Sequence, residues 1–183
     1  MAVSNHQLLD AWLQVLHLSE LKKGQTVTVL TNSTSHPQTV EMALMAAHSL
    51  GAIVNKLELP HVNAEKSLSR DPLAYLGATP LANNPAAIAM LKESDLVLDL
   101  MTLLFSNEQV EILKSGTKIL LAIEPPEILV RTVPTKADRE RVKRHAARLT
   151  GAKTMTVTSK AGTNMLFPLG EFPVVSEYGF VDE

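Results

Sequence analysis

Four short clusters hold the side chains able to do chemistry: TNSTSHP at 31–37, TLLFS at 102–106, EPPE at 124–127, and Glu177, the acid set among apolar and aromatic residues in the closing run FPVVSEYGFVDE at 172–183. Glu177 has Val174, Val175, Tyr178 and Phe180 as near neighbours in sequence, an apolar setting that favours the protonated acid and readies it for proton transfer. The other reading is a glutamate at a strand edge, hydrogen-bonded to a loop, and the residues alone leave both open. Ser35 and His36 are adjacent, but adjacency is not the geometry of a catalytic triad, and no GxSxG elbow occurs. The histidines at 6, 17, 36, 48, 61 and 145 lie far apart without HxxxH or HxD pairing, whereas a first-row metal needs three or four convergent ligands. No complete metal site is visible. His36 stands where it could touch a site beyond the first strand, but it precedes Pro37 and the reading favoured is a helix cap. Neither GxGxxG nor GxxxxGK[ST] is present, which removes the usual phosphate cradles.

The elements that must position these clusters alternate in period. Leu9, Trp12, Leu13 and Leu16 recur at helical spacing behind Ser4 or Asn5, predicting a helix over 5–20. TVTVL at 26–30 is a short β-branched run, a buried strand. The pattern then repeats: a helix from Pro37 to a stop at Gly51, a strand at 52–60, a helix at 84–94, a strand at 95–101, a helix from Ser106 to Gly116, and a strand through TKILLAIEP. Strands separated by helices imply crossover connections, hence a three-layer α/β fold whose mainly parallel sheet carries helices on both faces. In such a sheet ligands bind beyond the carboxyl ends of the strands, where three of the four clusters fall. The polar stretch 61–83 is long for an inert connection and reads as functional or mobile.

From Pro134 the character changes. TKADRERVKRHAARLTGA is predicted as a helix with Val142, Ala146 and Leu149 inward and Lys136, Arg139, Arg141, Lys143, Arg144 and Arg148 outward. Its basic side does not read as a nucleic-acid face, because Asp138 and Glu140 stand three or four residues before Arg141 and Arg144, as paired charges on a solvated helix do. KTMTVTSKAGTNMLFPLG then forms a short antiparallel β segment turning at Ala161-Gly162. The expected division is an α/β domain over 1–152 and a β segment over 153–183.

Composition narrows the class. Hydrophobic residues are 45% and charged residues 20%, as in soluble globular chains, and the net charge of −2 gives no field to gather a polyanion, so no nucleic-acid partner is expected. There is no cysteine, hence no disulfide framework and no thiolate metal site. No signal peptide and no run of about 20 apolar residues appears, so the expectation is a cytoplasmic protein with no membrane partner.

Four runs carry a further resemblance: TVEMALMAAHSLGAIVNKLELP, ESDLVLDLMTLL, GTKILLAIEPPEIL and SKAGTNMLFPLGEFPVVSEYGF. In order and spacing they resemble the N-terminal half of 2,5-dihydroxypyridine 5,6-dioxygenases, IEPPEIL and SEYGF most specifically. The same superfamily holds thermophilic metalloaminopeptidases, whose glycine-threonine-aspartate-leucine motif is echoed at Gly162, Thr163, Asn164 and Met165. Asn164 and Met165 depart from it and lean away from the peptidase. The resemblance implies ring opening of 2,5-dihydroxypyridine by dioxygen at Fe(II), giving N-formylmaleamate in aerobic nicotinate breakdown. It implies that Glu177 lies near the substrate, and that Leu104 and Phe105 face the ring where relatives often place a leucine and a histidine. Phe105 is a departure: a phenyl ring can pack on the substrate but cannot relay a proton, or else it is core. Family members are about twice as long, so the iron ligands, histidines and a carboxylate, are expected beyond Glu183 in a metal-bearing C-terminal domain. The chain alone is then expected to be inactive, and its apolar surface around Phe172, Val174, Tyr178 and Phe180 to drive homo-oligomer formation. A leucyl-type metalloaminopeptidase and a noncatalytic α/β assembly subunit remain the alternatives.

Overall fold

The computed structural model describes residues 3–60 and 79–182. Of the connection expected over 61–83, the part 61–78, including His61, lies outside the described residues. The described chain falls into two compact units, Met1–Val133 with Phe180–Glu183, and Pro134–Gly179. The division differs from the expected boundary at 152. That boundary followed the change from helical to strand periodicity, whereas the last long helix groups with the hairpin that succeeds it.

In the first unit, β1 (Thr26–Asn32), β2 (Ile53–Leu59), β3 (Leu96–Asp99) and β4 (Lys118–Leu121) pair in the order β2-β1-β3-β4, all parallel. The expected mainly parallel sheet is present. Side chains alternate across it as the pleat demands. Val27, Val29, Leu96, Leu98 and Leu120 join one core with α1 (Asn5–Leu18) and α2 (Pro37–Ser49), against which Leu129 and Val130 of α5 (Pro126–Arg131) pack. Leu30 and Val97 point the other way, into a second core with Leu91 of α3 (Pro85–Lys92) and Ile112 of α4 (Asn107–Lys114). Two cores on two faces are the three layers.

Helix starts are set locally. Ser4 Oγ accepts from the Gln7 N–H at 3.2 Å while Gln7 Oε1 accepts from the Ser4 N–H at 3.1 Å, a capping box. Asn84 and Ser106 cap α3 and α4 in the same manner, each accepting from the N–H three residues on. The short α5 was not foreseen; Pro126 stands at its first turn and its six residues are too few for periodicity to register. Leu81, at the end of the weakly patterned stretch, is fully buried in the second core. The closing residues return to the first unit: Phe180 is 5% exposed, Val181 packs on the first core, and the Val181 N–H donates to Ser19 Oγ at 3.2 Å.

The second unit consists of α6 (Lys136–Thr150) and a hairpin of β5 (Thr154–Thr158) and β6 (Asn164–Pro168), with Gly162 at φ +100° in the turn. The antiparallel segment is therefore as expected. Thr135 caps α6 with Asp138, and its hydroxyl and N–H, then Arg141, hold the Asp138 carboxyl below its ordinary range. The Asp138–Arg141 pair forms at 2.6 Å, but Glu140 pairs with Arg139 rather than Arg144. Arg139 and Lys143 are half-buried, each 5.8 Å from the centroid of the Tyr178 ring, and not solvent-facing as the helical pattern predicted. Leu149, expected inward, is 40% exposed. No residue from Pro134 to Gly179 is buried. A two-stranded hairpin without a buried face is marginal by itself. Amide exchange in β5 and β6 is accordingly expected to run faster than in β1 and β3 by about 10³-fold or more, read by hydrogen exchange with mass spectrometry. Equal protection would mean that the hairpin is held by something stronger than its own contacts.

Candidate functional site

The sheet order places the reversal of winding between β1 and β3, and a crevice opens there beyond their carboxyl ends. Its volume is about 360 Å³, and Ser35, His36, Met101, Thr102 and Glu124 are among its lining residues. The turn after β1 is built by Asn32, whose Oδ1 accepts from the Thr34 N–H at 2.9 Å. Ser35 Oγ donates to the Leu100 carbonyl at 2.7 Å, tying this turn to the end of β3. That bond gives Ser35 a structural task. His36 occupies the N-cap of α2, yet its side chain makes no cap hydrogen bond and is exposed, so the capping role expected of it is not fulfilled.

Two of the three non-glycine residues with left-handed backbone among the described residues lie in the loop after β3. Thr102 and Phe105 have φ of +77° and +62°, left-handed values that cost a residue with a Cβ about 1–2 kcal/mol each. Asp99 holds this shape. It is 1% exposed, and its Oδ1 accepts from the N–H groups of Met101 at 3.0 Å and Thr102 at 2.9 Å while Oδ2 accepts from Leu103 at 2.6 Å. Burial pushes the Asp99 carboxyl above its ordinary range, against the opposing pull of those three donors. At the far end of the loop, Gln109 Oε1 accepts from the Phe105 N–H at 3.0 Å.

Leu104 and Phe105 thus lie on the outer turn of a loop fixed at both ends. Leu104 is half-buried and Phe105 is 72% exposed, so the reading of Phe105 as core is overturned: its left-handed backbone turns the ring out. Glu177 belongs to the second unit and is exposed, and the described residues do not build the apolar enclosure expected around it. The reason lies in its neighbours. Val175 is 75% exposed, and Phe180, counted toward that enclosure and toward the exposed patch, is buried in the first unit. Asp99 and Gln109 were not singled out from sequence. The available signal was an acid within the otherwise apolar run LVLDLM, seven residues before the helix cap Ser106.

Among the described residues no group of three or more histidines and acids stands close enough to hold a metal ion. No helix of the described residues is long and apolar enough to cross a membrane.

A family model described as 2,5-dihydroxypyridine 5,6-dioxygenase, NicX, matches residues 7–183. The chain belongs to this family. It is 46% identical over 183 residues to the 2,5-dihydroxypyridine 5,6-dioxygenase of Pseudomonas putida, covering 100% of this chain and 52% of that protein. The solved structure of the dioxygenase from Pseudomonas putida KT2440 superposes with a TM-score of 0.91, again over 100% of this chain and 52% of that one. The chain therefore spans about half the length of the dioxygenase it matches. AmpT from Thermus thermophilus aligns at 16% identity and a TM-score of 0.41, covering 88% of this chain and 59% of that one, too weakly to carry an argument about function.

Proposed function

We infer that this chain is part of a dioxygenase that opens the ring of 2,5-dihydroxypyridine between C5 and C6. Both atoms of dioxygen enter the product, N-formylmaleamate, so the reaction balances without a further reductant. The observation that carries the reading is the 46% identity to the Pseudomonas enzyme along all 183 residues, with the same fold. Within it, the β3–α4 loop offers Leu104 and Phe105 to the ring, and Glu177 handles a substrate proton. Aerobic breakdown of nicotinate in the cytoplasm is the setting that this chemistry fits.

The iron proposed for the reaction finds no ligand set among the described residues, so the proposal gives it ligands that this chain does not supply. The 183-residue chain is accordingly expected to be inactive alone and to bind no stoichiometric Fe(II). About one tightly held iron per chain in metal analysis would overturn this. Phe172 at 78% and Val175 at 75% exposure support self-association, for which light scattering over a wide concentration range is the measurement.

Oxygen uptake with 2,5-dihydroxypyridine by the protein from its complete reading frame tests the function, and absence of uptake with iron supplied refutes it. In that protein Phe105→His is expected to raise turnover, since the ring is exposed and an imidazole there adds a hydrogen-bonding and proton-relaying group. Unchanged kinetics would remove Phe105 from the substrate's surroundings.

A further inference from the structure

We propose that Gln109 and Asp99 are positioning residues that pin the β3–α4 loop in the conformation presenting Leu104 and Phe105 outward, a role that rests on the ring-opening reading above. The argument begins with a hydrogen bond that helix capping does not explain. Ser106 and Gln109 have the spacing of a capping box, and the Ser106 hydroxyl accepts from the Gln109 N–H at 3.0 Å as such a box requires. The reciprocal bond would run from the Ser106 N–H to the Gln109 side chain. That N–H instead donates to the Leu103 carbonyl at 3.0 Å, and Gln109 Oε1 reaches one residue further back, to the Phe105 N–H at 3.0 Å. The helix start is served without this reach; what the diverted bond fixes is the peptide of Phe105.

Asp99 acts from the other side. Its three bonds fix Met101, Thr102 and Leu103, so the two side chains together hold four of the loop's N–H groups. A loop that only connected β3 to α4 would relieve its two left-handed residues with glycine. This loop keeps Thr102 and Phe105 there and leaves a phenyl ring 72% exposed, two costs that a connection alone does not require. Fixing such a loop beforehand removes the ordering cost at the moment a ligand meets it.

Gln109 is the residue to test, because it lies at the surface end of the loop and its loss should spare the core. Gln109→Leu removes the acceptor, while Gln109→Glu restores it. Exchange of the Phe105 amide, followed by NMR, is expected to quicken about 10-fold in the Leu variant and to stay near wild type in the Glu variant. In the protein from the complete reading frame, KM for 2,5-dihydroxypyridine is expected to rise about 10-fold in Gln109→Leu with kcat changed less, and to recover in Gln109→Glu. Unchanged amide exchange in the Leu variant overturns the pinning. Faster exchange with an unmoved KM, or with only a lower melting temperature, overturns the positioning role and leaves a structural one. If the wild type does not turn over 2,5-dihydroxypyridine, the functional reading fails and the substrate-positioning role with it, while the exchange measurement still reports whether Gln109 orders the loop.

Discussion

Asp99→Ala is expected to lower the unfolding free energy of the first unit by about 3–5 kcal/mol, since it strands three N–H groups whose acceptor is removed. Trp12, the one tryptophan of the chain and only 4% exposed in the first core, reports the transition by fluorescence in urea. Asp99→Asn keeps one acceptor oxygen but turns an amide group toward a remaining N–H, and is expected to cost about 2 kcal/mol. The pair also gives a pH test. Burial raises the carboxyl above its unfolded value of about 3.9, so the native chain holds that proton more tightly than the unfolded one. The linked stabilisation is complete below that pH and is lost as pH rises through the folded value. The wild-type advantage over Asp99→Asn is therefore expected to shrink as pH rises above about 4. An advantage that grows over the same range would mean that the three donors outweigh burial.

In the protein from its complete reading frame, Glu177→Gln is expected to reduce turnover of 2,5-dihydroxypyridine by about 10²–10⁴-fold, the usual worth of a positioned acid or base. The exposure of Glu177 sharpens this test. A surface substitution of equal shape leaves stability within about 0.5 kcal/mol, so a loss of turnover cannot be laid to unfolding. Iron content is expected to be retained. Turnover within a few fold of wild type would remove Glu177 from the chemistry.

The sheet was legible because its signals are local. Runs such as TVTVL and LVLDLM are too apolar for anything but buried strands, and Pro37, Ser106 and Gly116 punctuate the helices between them. What escaped notice depends on where the chain goes next. Phe180 looks from sequence like part of an exposed aromatic patch, but the chain has by then rejoined the first unit and buries it. Leu149 sits on the apolar stripe of an amphipathic helix, yet stays exposed because α6 belongs to a unit with no buried residue. The Asp99 clamp spans only five residues, Asp99 to Leu103, and was readable in principle. It was masked by the strand pattern around it, which makes an acid look like an interruption rather than an anchor.

The path of the backbone between Val133 and Phe180 has a consequence for engineering. Gly179, at φ +83°, lies so close to Pro134 that a Cβ on it would meet the proline ring at 3.2 and 3.3 Å, which places the entry and exit of the second unit side by side. In covalent terms that unit is a loop-out grafted between neighbouring points of an α/β scaffold, the arrangement that tolerates excision. Replacing 134–179 with a few glycines would leave Phe180 and Val181 free to seal the first core, yielding a minimal scaffold on which the Asp99 loop can be redesigned apart from the rest.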